Sequence, residues 1–408
     1  MDDATDTPGA TGIVETWAGV GGSVVDRGHG EHREDRADRG DREGREDRGD
    51  RGDWEGQEDR GDRGAGVIRE RPAAARRGPL VPRAELPELP ERPEALRRGP
   101  FTVAQWRTAG LPAADLRRAG LHAPTRAVRT ASVPTSTRER ALAFAVGLPP
   151  DAAFSHVTAA VLLRLPLPAA LEAQADLDVM RPTSVAQARR RGCHGHRGLE
   201  SREVLDVAGL RVVGPADTWV DLAGVAHRGL GVDDLVIVGD VVANRLDGGL
   251  GGHGEGCDQG ECAGLAALTR VLEQRTRPRG KALLEQALPL VRVGSRSPME
   301  TRARLMFHRA GFPEPELNAA VRDDHGEWLL EGDLVWRAHR VVGEYQGSDH
   351  ASRRRRSSDA ARSATAEDHD HRVLEIHAED VFGGARRRAL LRRFARAMML
   401  DLGDLTIE

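Results

Sequence analysis

Lysine is almost missing from this 408-residue chain, because Lys281 is the only one. Arginine can replace lysine on solvated surfaces and keep the positive charge, so the scarcity indicates a bias towards GC-rich codons. Arginine cannot replace lysine as a group that gains and loses a proton. Chemistry that needs a titrating lysine is therefore excluded from nearly the whole chain.

Cysteine and long apolar runs are also scarce. Three cysteines form no obvious disulfide framework, which is typical of a reducing compartment. The first residues show no basic stretch followed by an apolar core, and no apolar run approaches the roughly 20 residues that a membrane span needs. These absences predict a cytoplasmic protein without a membrane partner.

Charge is concentrated in one low-complexity segment. Between Glu31 and Arg63 there are fourteen acids and nine arginines, arranged in Asp-Arg-Gly units. Almost none of these side chains can be buried, so residues 1–98, which end in a proline- and arginine-rich linker, are predicted to be disordered. Because this segment carries the acidic excess, the net charge of −4 does not exclude a nucleic-acid partner.

The structured part is expected to begin near Phe101. Thr102 is a plausible cap of a short helix that ends by Gly110, and a second short helix is expected before Gly120. Two short helices with a tight turn are typical of a winged or helix-turn-helix unit, and equally of a plain helical hairpin. The expected divisions are a winged-helix-like start with a mixed α/β region at 99–245, a glycine-rich insertion at 246–263, a helical connector at 264–292 and a C-terminal domain at 293–408.

Two clusters of possible metal ligands lie in the middle of the chain. One contains Cys193, His194 and His196, and the other lies in the glycine-rich stretch 253–262. Neither has the second spaced ligand pair that zinc requires, so the first is interpreted as a polar loop between strands and the second as a surface insertion. No catalytic constellation is predicted between residues 138 and 245.

The C-terminal part shows helix and strand patterns in a regular order. Ser297 is a plausible cap for a helix that begins at Pro298 and places Glu300 in its first turn. Three strand-like runs then predict a β-meander, and a polar helix, a fourth strand and an arginine-rich helix follow. The order is α-β-β-β-α-β-α, so the chain belongs to the mixed α/β class. The runs are 317–322, 328–336, 340–345, 353–369, 372–376 and 385–400.

Acidic residues stand out in this pattern. Asp333 interrupts an apolar strand-like run, where a charge is costly unless it is paired, exposed or bound to a metal. Glu344 and Gln346 lie two residues apart in the next run, so their side chains project from the same face. Two carboxylates that converge from neighbouring strands can hold Mg²⁺ or Mn²⁺.

The segments Ser297 to Glu300, Glu331 to Trp336 and Val342 to Gly347, together with His350, resemble the PD-(D/E)XK nuclease superfamily. Within it, residues 295–399 are most similar to the very-short-patch-repair-like branch, whose restriction-endonuclease-like core is αβββαβ. Residues 99–245 more weakly resemble the antitoxin module of abortive-infection toxin–antitoxin systems.

The resemblance implies roles for particular residues. Asp333 and Glu344 match the metal-binding acids, Glu300 matches the helix glutamate that supports the metal through water, and Gln346 stands where the superfamily has lysine. Glutamine can donate hydrogen bonds but brings no positive charge. His350 would take over as a group that titrates near neutral pH.

The implied activity is hydrolysis of a DNA phosphodiester by metal-activated water. Arginines after the third strand would contact the phosphates: Arg353, Arg354, Arg355, Arg356 and Arg362. The alternative is a DNA-binding or antitoxin-like regulator that keeps the nuclease fold without turnover, which Gln346 favours. A partner protein or homodimer is left open.

Overall fold

The computed structural model describes residues 96, 99–118, 120–248, 262–346 and 369–407. The charged tail, most of the glycine-rich segment and residues 353–368 of the predicted helix lie outside these ranges. All the described residues belong to one compact unit. Among them, no helix is both long and apolar enough to cross a bilayer.

A small N-terminal unit opens the described part. Its elements are β1 (Phe101–Thr102), α1 (Val103–Thr108), α2 (Asp115–Arg118) and β2 (Val128–Arg129). As predicted, Thr102 caps α1, because its hydroxyl accepts the main-chain N–H of Gln105 at 3.1 Å. β1 and β2 pair in antiparallel fashion, and Phe101 and Trp106 stack in a small core of their own.

The middle region is built on a five-stranded mixed sheet with strand order β5-β4-β3-β7-β6. Its strands are β3 (Ala153–Phe154), β4 (Leu177–Arg181), β5 (Cys193–Arg197), β6 (Val204–Val207) and β7 (Leu210–Val213). Its helices are α3 (Thr137–Ala145), α4 (His156–Leu162), α5 (Ala169–Glu172), α6 (Pro215–Ala223), α7 (Val232–Leu246), α8 (Ala263–Gln274) and α9 (Lys281–Ala287). A large apolar core joins these helices to the sheet.

The interpretation of residues 193–196 as a polar loop is wrong. This segment forms β5, which pairs in parallel with β4 from Cys193 to Arg197. Its composition of cysteine, histidine and glycine lacks the β-branched residues that mark a strand. The main-chain hydrogen bonds and the buried polar partners supplied by β4 decide the conformation instead.

The C-terminal region contains a four-stranded sheet with order β11-β10-β9-β8. α10 (Pro298–Arg309) comes first, and the strands are β8 (Glu316–Arg322), β9 (Trp328–Trp336), β10 (Val341–Gln346) and β11 (Arg372–His377). α11 (Ala378–Phe382) and α12 (Gly384–Met398) close the chain. β8, β9 and β10 form the predicted antiparallel meander, and β11 lies parallel to β10.

The C-terminal sheet has a different apolar layer on each face. α10 and α12 cover one face, where Phe307, Trp336 and Phe394 pack with ring centroids 4.7–5.5 Å apart. The other face carries a smaller cluster that includes Val335 and Val342. Glu344 and Gln346 project from the side of this smaller cluster, because they alternate with Gly343 and Tyr345.

A buried ion pair connects the middle and C-terminal regions. Arg304 in α10 and Asp240 in α7 are both essentially inaccessible to solvent, and their side chains lie 3.1 Å apart. We expect Arg304→Ala to lower the free energy of unfolding by about 3–5 kcal/mol, because it leaves the carboxylate buried and unpaired. Urea unfolding measures the change.

The double variant Asp240→Asn/Arg304→Met is the matched control. It removes both charges, so it should be more stable than Arg304→Ala alone. Equal destabilisation by the single and double variants would show that the loss comes from packing rather than from the uncompensated charge.

Candidate active site

The candidate site lies where β9 and β10 separate. The two strands pair from Val341 opposite Trp336 to Gly343 opposite Leu334, and regular pairing ends there. The next position along each strand holds Asp333 and Glu344. The main-chain N–H of Tyr345 donates to Oδ2 of Asp333 at 2.7 Å, so a side chain replaces the strand partner at the point of divergence.

The register brings both acids to the end of the pairing between β9 and β10. Val335 and Val342 are paired and pack together in the smaller apolar cluster. Because side chains alternate along a strand, Glu344, two residues from Val342, projects from this face as well. Gln346 follows on the same face at the exposed end of β10. Alternation is interrupted before Asp333, since a Cβ on Gly332 would also meet Val335 and Val342. Asp333 is tied to β10 by the N–H of Tyr345 instead.

Glu300 approaches the site from the first turn of α10. Ser297 caps this helix by accepting the N–H of Glu300 at 3.1 Å. Glu300 is buried, and its Oε2 accepts from the main-chain N–H of Arg296 and from Nδ2 of Asn318, each at 2.8 Å. Its carboxylate is therefore held in place by two donors and is not free to rotate.

Asn318 is a site residue that sequence reasoning missed. It lies between the pairs Leu317–Leu334 and Ala319–Gly332, at the position of β8 that faces Asp333. Its φ of 46° is a left-handed conformation, which asparagine tolerates better than most residues. An asparagine inside a strand-like run was the available signal, since this residue is rare in strands.

The carboxyl group of Asp333 is electrostatically unfavourable. Burial is the main cause that raises its pKa to about 6, and the negative charge of Glu300 raises it further. The N–H of Tyr345 and the charge of Arg296 act in the opposite direction. Crowded carboxylates of this kind are the oxygen ligands that magnesium prefers, so the donor set fits a divalent cation.

The acids do not by themselves complete a metal cage. Within the ranges that the structure describes, no group of three or more His, Cys, Asp or Glu side chains is placed to hold a metal ion. Asp333 and Glu344 offer two carboxylates at the end of the paired strands, and magnesium sites with few protein ligands use water and phosphate oxygens for the other positions.

Several predicted residues lie outside the described ranges. They are His350, Arg353, Arg354, Arg355, Arg356 and Arg362. Their roles remain predictions. The arginines of α12 are described, and Arg388, Arg392 and Arg393 lie exposed on its outer side.

A second polar cluster, in the middle region, was also missed. Nε2 of His196 lies 2.8 Å from Oδ1 of the fully buried Asp178, which also accepts from Arg228 at 3.0 Å. The ring of His196 stacks on that of His156 with centroids 3.6 Å apart. Burial lowers the pKa of His156 to about 4, against the opposing charge of Asp221, so this imidazole stays neutral in a charged network.

Comparisons with known proteins give a limited match. No family model and no solved structure matches the chain. It is similar to uncharacterized proteins MT2308 and Rv2248 of two Mycobacterium tuberculosis strains, CDC 1551 / Oshkosh and ATCC 25618 / H37Rv. Each is 31% identical over 121 residues, which is 29% of this chain and 44% of the relative. The chain thus spans less than half the length of these relatives, and their names state no activity.

Replacing Asp333 with asparagine should stabilise the protein at neutral pH. Asparagine has nearly the same shape and can still accept the N–H of Tyr345, but it removes a buried charge repelled by Glu300. We expect the melting temperature to rise by about 2–6 °C, which corresponds to roughly 1–2 kcal/mol for a chain of this size. Calorimetry at pH 7.5 measures the shift.

The pH dependence provides the control. The folded-state pKa of Asp333 is raised to about 6, above its ordinary value of 3.8, so the folded state binds the proton more tightly. The wild type therefore loses stability as pH rises through this window. The increase in melting temperature caused by Asp333→Asn should reach its full size above pH 6 and disappear near pH 4. An advantage that is the same at both pH values would contradict the electrostatic explanation.

Proposed function

We propose that the C-terminal region is a metal-dependent DNA endonuclease of the PD-(D/E)XK type, similar to the very-short-patch-repair-like branch. The observation that carries the proposal is the placement of Asp333 and Glu344 at the point where two strands separate, with Glu300 close enough to raise the pKa of Asp333. Helix α10, a three-stranded meander and a parallel fourth strand support the αβββαβ order, whose second helix falls outside the described residues.

Each site residue has a role in this proposal. Asp333 and Glu344 would hold Mg²⁺ or Mn²⁺, which supplies charge neutralisation at the phosphate and activates water for attack. Glu300, fixed by Arg296 and Asn318, holds negative charge beside Asp333 and favours cation binding. Gln346 donates a hydrogen bond to a phosphate oxygen.

The exposed side of α12 supports DNA as the substrate. Arg388, Arg392 and Arg393 lie on this side, and the helix contains no acidic residue from Gly384 to Met398. Its apolar side, with Leu391 and Phe394, packs into the core. A helix that is rigidly held on one side and basic on the other suits contact with a phosphate backbone.

A regulator without turnover is the second candidate. Gln346 favours it, because the position next to the acids brings no positive charge to the phosphate. The N-terminal pair of short helices with its two-stranded sheet is compatible with a winged-helix-like unit and hence with the antitoxin-like resemblance. Both candidates bind DNA, so cleavage alone distinguishes them.

Cleavage of DNA is the direct test of the endonuclease. Wild-type protein incubated with plasmid and mismatched duplex DNA in Mg²⁺ or Mn²⁺ should produce nicks or breaks that chelation abolishes. Asp333→Ala and Glu344→Ala should lower the rate by at least about 100-fold, because each removes a proposed ligand of the metal ion that stabilises the transition state.

Glu327→Ala is the matched control, since Glu327 is an exposed carboxylate just before β9 and has no part in the proposed site. It should keep most of the activity. Wild type and site variants that are equally inert across metals and substrates would favour the regulator.

The salt dependence of DNA binding tests the α12 surface. Each arginine that contacts a phosphate contributes about 0.9 to the slope of log affinity against log salt concentration. The double variant Arg388→Ala/Arg392→Ala should therefore reduce the magnitude of this slope by about 2, as measured by fluorescence anisotropy in Ca²⁺. Arg197→Ala, at an exposed position of the middle sheet, is the control. An unchanged slope in the double variant would exclude α12 from the interface.

A further inference from the structure

Strand β11 extends the face of the sheet that carries Glu344 and Gln346. It runs parallel to β10, with Glu375 opposite Glu344 and His377 opposite Gln346. The apolar neighbours agree with this assignment, because Val373 packs in the cluster of Val342. Side chains at paired positions of adjacent strands share a face, so Glu375 lies beside Glu344 and His377 beside Gln346.

His377 is accessible and has a carboxylate beside it. Its Nε2 lies 3.6 Å from Oε2 of Glu375, and the two side chains are 43% and 61% exposed. Its main-chain N–H donates to Asp380 at 3.0 Å, which fixes the backbone at the start of α11. The imidazole is therefore presented to solvent from a fixed backbone position.

His377 lies opposite Gln346 in the sheet, and this pairing is important for proton transfer. Gln346 stands at the place next to the acids where a titrating group would be useful, and a glutamine side chain cannot exchange a proton. Adjacent strands lie about 4.8 Å apart, so the imidazole is within one side-chain length of a phosphate held by Gln346. Histidine is the side chain most often used for proton transfer in such a site.

We propose that His377 is the general base of the nuclease and that Glu375 orients its ring, an inference that rests on the proposed function. The neutral imidazole takes a proton from the attacking water while the water oxygen forms a bond to phosphorus. The bond from phosphorus to the leaving oxygen breaks, and that oxygen takes a proton from solvent. Glu375 on the same strand lies beside the ring, and Glu344 on β10 is the register partner of Glu375. Asp380 on α11, which pairs with Arg386 on α12, accepts the main-chain N–H of His377.

The test compares His377→Ala with His325→Ala in the full-length protein. His325 is exposed in the turn between β8 and β9, so its variant controls for loss of a histidine. We expect His377→Ala to lower kcat by about 100-fold with little change in KM, and His325→Ala to change neither. Imidazole added to the buffer should restore part of the activity of His377→Ala alone, which a structural defect would not allow.

Two further measurements complete the experiment. Glu375→Gln should lower kcat by about 10-fold at unchanged KM, because it keeps the shape of the side chain but removes the charge beside the ring. Diethylpyrocarbonate should modify His377 in the free protein, and a DNA duplex bound in Ca²⁺ should protect it, as read by mass spectrometry.

The outcomes separate the two proposals. If wild type cleaves DNA and Asp333→Ala does not, but His377→Ala keeps full kcat, the inference is wrong and the nuclease stands. The inference is also wrong if imidazole restores nothing, or if His350→Ala shows the loss and rescue instead. If wild type shows no Asp333-dependent cleavage, the proposed function fails and the role of His377 fails with it.

Discussion

The buried ion pair between Asp240 and Arg304 is the constraint on which the candidate site depends. Asp240 lies in α7 of the middle region, and Arg304 lies one turn after Glu300 in α10. The pair is completed by Thr301, whose hydroxyl donates to Asp240 at 2.8 Å, and by the carbonyl of Leu290, which accepts from Arg304 at 2.7 Å. These side chains are buried, so a shift of α10 along α7 would break their hydrogen bonds where no water can replace them. The start of α10 is therefore fixed.

Further contacts hold the same two helices together. Arg302 pairs with Asp234 at 2.7 Å, and Arg309 pairs with Asp233. Burial raises the pKa of Asp240 to about 6 in spite of the nearby Arg304 charge, so the ionised pair costs stability at neutral pH. An apolar contact would hold the helices as tightly with less cost. What the charged contacts add is a defined register, and through it a defined position for Glu300 beside Asp333.

Sequence reasoning succeeded where the local pattern and the fold agree. The strand around Asp333 and the strand around Glu344 were predictable from alternation, and the start of α10 from the serine cap and the proline after it. It failed where a distant partner decides the conformation. β5 forms because β4 supplies its hydrogen bonds, and Asn318 adopts a left-handed conformation because Gly294 and Glu300 accept its amide. The hydrophobic periodicity of the sequence gives no information about such distant partners.

The repulsion between carboxylates in the site is connected with its proposed function, the binding of a metal ion. Asp333 and Glu300 lie close together in a partly dry environment, and each has main-chain or amide donors that hold its carboxylate where it is. In a site with a lysine next to the acids, that positive charge would relieve part of the repulsion. Here the position holds the neutral Gln346, and the only lysine is Lys281. The negative charge is therefore compensated less by the chain itself, so the site should depend more strongly on a bound cation than one that contains the lysine.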